Sequence, residues 1–284
     1  IYVLDGGSTA NFNGTSGGGT ISATNCGLLF NGGANFNNST VQAQSIECVQ
    51  ACTNGTYPSP YATPQSSAPV NDPCPYITYC AHLAASPPTC SPVSVAPTPN
   101  AAGVVTVPAG CYNGFTYHAT KNNPVTVNFC GLYVITGTAD VSATGSGVLP
   151  VTIQETSGCP GVTFYVSGSG AINFKNANMS LTAPASGDYT QYSAGEQNVL
   201  FYQASGDANT ALLQSASCAN CTTNVVGMMY FPSANLNYTK SNSNTSGSGA
   251  LIVSYDLNCN GCNATTFQAP APGLETIKTV VLGE

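Results

Sequence analysis

Apolar residues along this chain gather in short bursts of about five, each closed by Gly, Asn, Asp or Pro and followed by a second burst. The units lie under one another: "CGLLFNGGANF" from Cys26, "GFTYHATKNNPVTVNF" from Gly114, "CGLYVITGTADVSATG" from Cys130 and "GVTFYVSGSGAINF" from Gly161. The series continues with "NVLFYQASGDANTALLQ" from Asn198, "VVGMMYFPSANLNYT" from Val225 and "ALIVSYDLNCNGC" from Ala250. No window sustains apolar spacing at i, i+3, i+4 and i+7, and Gly or Pro interrupts nearly every stretch long enough for a helix, so the pattern predicts an all-β protein.

From Gly114 onward, starts of successive units are separated by about 16 to 37 residues. A strand of this kind cannot bury its apolar face alone, whereas coils stacked in parallel bury those faces in one continuous core, with Gly and Asn taking positive φ at the corners. The expected fold is a right-handed parallel β-helix, a solenoid carrying a Pro/Cys-rich loop insertion. An antiparallel β-sandwich also offers many short strands at regular spacing and is the alternative. The predicted organisation is N-terminal β coils over 1–50, the insertion over 51–100 and the main solenoid over 101–284. The insertion holds most of the prolines together with Cys52, Cys74, Cys80 and Cys90, and is too Pro-rich for central strands. Four cysteines predict a disulfide-pinned segment packed on the coils.

Composition sharpens this picture. Only 5% of residues are charged, with four lysines, no arginine and eleven acids, for a net charge of −7. Without cations the chain cannot neutralise phosphates, which argues against nucleic acid and anionic membrane surfaces as partners. A hydrophobic fraction of 42% argues against disorder. With so few charges, stability is expected to vary weakly with pH. No apolar run approaches the ~20 residues of a membrane span, no signal peptide is evident, and a mature or trimmed product is expected.

Thirteen cysteines point to an oxidising, extracellular or cell-surface location. Cys26, Cys48, Cys52, Cys74, Cys80, Cys90, Cys111, Cys130, Cys159, Cys218, Cys221, Cys259 and Cys262 are all disulfide candidates. Cys218 with Cys221 and Cys259 with Cys262 have CxxC spacing that also suits zinc, but disulfides are favoured in this context. The count is odd, so at least one cysteine pairs with another chain, carries a small thiol or stays reduced.

Catalytic signals are sparse. A lyase would draw on Lys121, Lys175, Lys240 or Lys278, and a glycosidase on two carboxylates, for which Asp188, Glu196 and Asp207 lie closest in sequence. The simpler reading of these acids is solvated turn residues. His82 and His118 are the only histidines, no "GxSxG" elbow occurs, and both read as structural. No catalytic, cofactor-binding or metal-ligating residue is assigned, no cofactor is expected, and the chain is not expected to be an enzyme. Asn-X-Ser/Thr sequons begin at Asn13, Asn37, Asn38, Asn54, Asn178, Asn220, Asn237, Asn244 and Asn263.

"YVLD" (Tyr2 to Asp5), "CGLLFNGGANF", "VNDPCPYI", "VPAGCYNGFTY", "CGLYVITG", "MSLTAPASGDY", "NVLFYQ" and "MMYFPSANLNYT" follow one another in an order that resembles the extracytoplasmic part of the Flp pilus assembly TadG-like proteins. The resemblance spans nearly the whole chain and is most specific in "LTAPASGDY" and "YFPSANLNYT". Two positions depart from it: Cys111 in "PAGCY" and Cys130 in "NFCGLY" stand where the family has "NPGVY". The family's membrane-anchoring N-terminal helix is not in the sequence. The resemblance implies a surface or pilus-linked structural role.

The leading expectation is therefore an extracellular structural protein, cell-surface or pilus-associated, that assembles with copies of itself and with pilus or cell-envelope components. Apolar β segments at 1–5 and 276–284 could supply strand addition at the open ends of the coil stack, or be ordinary first and last strands. A carbohydrate-binding or adhesive module is the alternative, on the strength of 15 Tyr and 10 Phe. A polysaccharide-active β-helix enzyme comes third.

Overall fold

The computed structural model describes residues 1–13, 19–91, 93–144, 149–187, 192, 195–215, 223–239, 248–260 and 267–268. The chain opens with β1 (Tyr2–Val3), β2 (Thr9–Asn13), β3 (Thr20–Phe30), β4 (Gly33–Cys48), β5 (Cys52–Thr56) and β6 (Gln65–Ser66). A 3-10 turn (Cys74–Tyr76) and the eight-residue helix α1 (Thr78–Ala85) follow. Next come β7 (Val104–Thr106), β8 (Gly110–Tyr112), β9 (Phe115–Ala119), β10 (Thr126–Phe129), β11 (Gly131–Ile135) and β12 (Thr138–Ala143). Then β13 (Val151–Glu155), β14 (Val162–Val166), β15 (Ala171–Thr182), β16 (Val199–Gln203) and β17 (Ala211–Ser215) lead to β18 (Thr223–Thr239), β19 (Ser248–Asn260) and β20 (Phe267–Gln268).

Every pairing between these strands is parallel, which an antiparallel sandwich does not have. Three ladders result, and the chain visits them in turn. The first runs β7, β10, β13, the second half of β15 and the start of β18, and near the start of the chain it holds Thr20–Ala23 of β3, Ser39–Ala43 of β4 and Gly55–Thr56 of β5. The middle ladder runs β8, β11, β14, β16, β18, β19, β1, β3, β4, β6. The third runs β9, β12, β15, β17, β18, β19, β2, β4, β5.

Long strands serve more than one ladder by bending, and in β15 and β4 asparagine marks the bend. β15 leaves the third ladder at Phe174 and joins the first at Ala177, with Asn176 between them at φ 50°. β4 does the same across Asn37 (φ 46°) and Asn38 (φ 60°). Asn tolerates the left-handed region because its short amide can bond locally. At Gly114 the turn leaves no alternative to glycine: φ is +83° and a Cβ would sit 2.5 Å from the Thr138 carbonyl oxygen. The expected corner chemistry is thus present.

One expected unit is out of phase. Phe115–Ala119, in the "GFTYHATKNN" segment, pairs with β12 in the third ladder rather than with the "GLYVI" strand. The middle-ladder member of that circuit is the shorter Gly110–Tyr112. It was hidden because three residues are too few to show a period.

Inward residues of all three ladders form one cluster that includes both Phe12, Phe30 and Phe36 near the start of the chain and Phe164, Phe201 and Phe231 far along it. In-register stacking builds aromatic columns: Tyr133, Phe164 and Phe201 stack at 5.3 and 5.2 Å. Such contacts add about 0.5–1.5 kcal/mol each beyond burial.

The middle ladder is apolar on its outward side as well. In exact register along it stand Cys111, Val134, Tyr165, Tyr202, Tyr230, Val253, Tyr2, Leu29, Glu47 and Gln65. Residues 70–97 run as a strap down this face, with Cys74, Ile77, Tyr79, Cys80 and Leu83 buried against it. Strands covered on both sides read as continuous hydrophobic runs, which explains "GLYVI", "VTFYV" and "VLFYQ".

Candidate functional site

The strap is fastened along its whole length. Val70 exchanges two bonds with the Asn31 amide, at 2.7 and 2.8 Å. The Tyr230 hydroxyl donates to Asp72 Oδ2 at 2.5 Å; burial, then this bond, pushes the phenol's pKa well up. Tyr192 reaches over the strap to donate to the Thr89 carbonyl at 2.5 Å. Cys74–Cys80 closes the turn before α1, and Cys90–Cys111 ties the strap to β8. Below it, Ser94 N–H donates to the Cys111 carbonyl at 2.7 Å and the Tyr117 hydroxyl to the Pro97 carbonyl at 2.8 Å. Cys130–Cys159 ties successive circuits, Cys48–Cys52 spans the corner between β4 and β5, and Cys259 is disulfide-bonded too. Cys90–Cys111 thus ties the strap to the ladders, whereas Cys52, expected in the insertion, belongs to β5 of the third ladder.

The acids and histidines lie differently from their simplest sequence reading. Glu196 and Asp207 are 4% and 5% exposed, so neither is a solvated turn residue. The loop bearing Glu196 is held inward by Thr163, whose hydroxyl accepts from the Glu196 N–H at 2.9 Å and donates to the Val199 carbonyl at 2.7 Å. There the carboxylate meets His82 of α1, Nδ1 to Oε2, at 3.1 Å. A long-range pair of this sort leaves no trace in local spacing. Asp207 keeps its turn role while buried, accepting from Asn209 N–H at 3.1 Å. Asp188, Lys240, Lys278, Cys218, Cys221, Cys262 and residues 276–284 lie outside the described residues.

His118 is the other surprise. On the outward face of the third ladder its Nε2 lies 3.5 Å from Asp140 Oδ2, while Ser142 stands opposite it and Lys175 opposite Ser142. Nucleophile, base and carboxylate are neighbours here, but no hydrogen bond joins Ser142 to His118, and Asp140 instead accepts from Asn173 Nδ2 at 3.0 Å. Asp140 and Lys175 bring charge to this part of the face. That face carries a registered row of Thr116, Asp140, Asn173, Leu212, Asn237, Asn258, Asn11, Asn35 and Thr53. Among the described residues no group of three or more His, Cys, Asp and Glu is placed to hold a metal ion, and no helix is long and apolar enough to cross a membrane.

One end of the stack holds a groove of about 780 Å³ between Gln44–Glu47 of β4 and the chain from Tyr61 to Val70. Its polar groups include Gln44, Glu47, Thr63 and Gln65, with Tyr61 as its aromatic side. Pro58, Pro60 and Pro64 lie between β5 and β6 at this end and Pro97 precedes β7 at the other, where residue 93 bridges to Cys111, while the end strands β5 to β9 contain no proline.

The first segment of the chain is not at an end. β1 pairs with β19 on one side and β3 on the other, so both its edges are occupied and "IYVLD" cannot supply strand addition at an open end. The cause is the strap, which carries the chain from one end of the stack back to the other. Comparison with family models, with curated proteins and with solved structures finds no match to this chain.

Proposed function

We propose that this protein is an extracellular structural component, a right-handed parallel β-helix displayed at the cell surface or along a pilus, which joins with copies of itself. The observation that carries the reading is the three-ladder stack stapled by cystines and closed on one face by a pinned strap, under a surface almost free of charge. Parallel strands linked by crossovers take the right-handed course in nearly all proteins, which supports the handedness. The TadG-like resemblance supports the location and the structural role. The test is protease added to intact cells of the source organism: cleavage of the native chain before lysis is expected, and full protection until lysis would refute surface display.

A second reading, glycan binding, is favoured by the groove at Tyr61, which sets an aromatic face beside amide and carboxylate groups. Retention of a neutral oligosaccharide by the intact chain and its loss in Tyr61→Ala would support it.

A further inference from the structure

Glu47 is the one charged residue lining the groove at the end of the stack. It stands in the outward row of the middle ladder, after Tyr2 and Leu29 and before Gln65. Half-buried, it forms no ion pair and accepts no hydrogen bond among the described residues. The scarcity of cations explains why. The chain has no arginine, Lys175 lies in β15 on the third ladder, and Lys121 follows β9 at the opposite end of the stack. The Ile1 ammonium is bonded instead to the Gly27 carbonyl at 2.9 Å.

We propose that this groove binds a glycan bearing free amino groups, with Glu47 as counter-ion to an ammonium and Tyr61 as the aromatic face beside it. The inference rests on the glycan reading of the groove and names the class of sugar.

Three observations carry it. The first is charge. A carboxylate drawn partly out of water interacts more strongly with an opposite charge than one in bulk solvent, and Glu47 is felt along its row: the phenol of Tyr2, two places away, is pushed up by burial and then by this carboxylate. A net charge of −7 also draws cations and repels anions. An acidic sugar is therefore disfavoured, and a neutral one leaves Glu47 without a partner.

The second is the balance of donors and acceptors. Gln65 directs its Nε2 to the Thr63 carbonyl at 3.3 Å and the Thr63 hydroxyl at 3.2 Å, which leaves Oε1 as the group it can offer. Glu47 and Gln65 are neighbours in the row, on strands about 4.8 Å apart, so the pair supplies acceptors. An ammonium brings three donors and no acceptor. The third is shape. A groove of about 780 Å³ falls in the range of small-ligand sites, ~300–1,000 Å³. The ring of Tyr61 attracts a cation through its quadrupole, and Gln44, Ser45, Thr63 and Ser66 line the rest, which suits a hydroxyl-rich ring better than a bare aliphatic amine.

The test is isothermal titration of the purified full chain, in mildly acidic buffer, with a glucosamine trisaccharide and with its fully N-acetylated counterpart. These share a backbone and differ in charge. The amine form is expected to bind at least about tenfold tighter, the equivalent of ~1.4 kcal/mol. Glu47→Gln should erase that preference while leaving the melting temperature and the affinity for the acetylated form unchanged. The unmodified chain gives an independent readout, because added salt should weaken binding of the amine form and spare the acetylated one. Equal affinity for the two forms, or a preference that survives both Glu47→Gln and salt, overturns the proposal. Trilysine binding as tightly as the amine sugar overturns it too, since the groove would then read charge without the sugar. Equal binding of both sugars refutes the ammonium alone and leaves the glycan reading standing, whereas binding of neither refutes that reading and this inference together.

Discussion

Removing the cystines one at a time should rank them by the length of chain each closes. The sequence separations are 29 for Cys130–Cys159, 21 for Cys90–Cys111, 6 for Cys74–Cys80 and 4 for Cys48–Cys52. In the chain-entropy account these correspond to ~3.6, ~3.3, ~2.2 and ~1.9 kcal/mol at 25 °C. Alanine is the replacement of choice, because Cys48, Cys74, Cys80 and Cys111 are buried, and a buried serine hydroxyl without a partner would add about 1–3 kcal/mol of its own. The strap has other fastenings at Asp72, His82 and Thr89, so loss of Cys90–Cys111 should not free it and the loop term should stand alone.

For a chain of 284 residues, unfolding entropy of about 2.1 cal/mol/K per residue turns these losses into melting shifts of ~6 °C for Cys130→Ala/Cys159→Ala and ~3 °C for Cys48→Ala/Cys52→Ala. Differential scanning calorimetry of the four double variants under non-reducing conditions, with peptide mapping to show that the other pairings are kept, measures the order. Equal shifts for the longest and shortest loops, or a larger shift for Cys48–Cys52, would refute the reasoning and place the stabilisation in native-state packing.

Three further outcomes are expected. Leu83→Ala, at a fully buried position between α1 and the middle ladder, should cost about 2–5 kcal/mol by denaturant titration. Tyr230→Phe removes the donor to Asp72 and should cost about 1–3 kcal/mol, largely recovered by adding Asp72→Asn. Seven tyrosines, at 2, 57, 112, 117, 133, 165 and 230, have pKa values raised chiefly by burial, Tyr117 to about 12. Below the ordinary tyrosine value of about 10 both states hold these protons. Above it the unfolded chain releases them first, so stability should fall steeply from there towards pH 12, and tyrosinate absorbance should appear together with unfolding.

The alkaline limb shows where composition stops being informative. Counting charges predicts weak pH dependence, and few carboxylates are perturbed; Glu155, raised by burial against the pull of its bond from Thr182 N–H, is one. Phenols are not counted as charges, and which of them are buried depends on the strap and the core. Strand existence was legible because apolar bursts and turn residues are local. Corner asparagines were legible as a class for the same reason. The pairs Glu196 with His82 and Asp140 with His118 were not, since each joins segments whose proximity depends on how circuits stack.

Ladder order is the hardest quantity to read, because one parallel edge offers the same main-chain groups as any other. Nothing in "IYVLD" says that it lies on β19, yet the outward column of the middle ladder carries the answer. From Cys111 through Val134, Tyr165, Tyr202, Tyr230, Val253 and Tyr2 to Leu29 its members are apolar or aromatic, and beyond Leu29 they turn into Glu47 and Gln65. Burial of such side chains stabilises by about 1.5–3 kcal/mol each only if something covers them, and the strap does so, starting beside Asn31 and ending at Cys111. The change from Leu29 to Glu47 therefore marks where the strap begins. A strap that begins there and ends at the first circuit must carry the chain back along the stack, which places residues 1–66 on top of β19 instead of beneath β7.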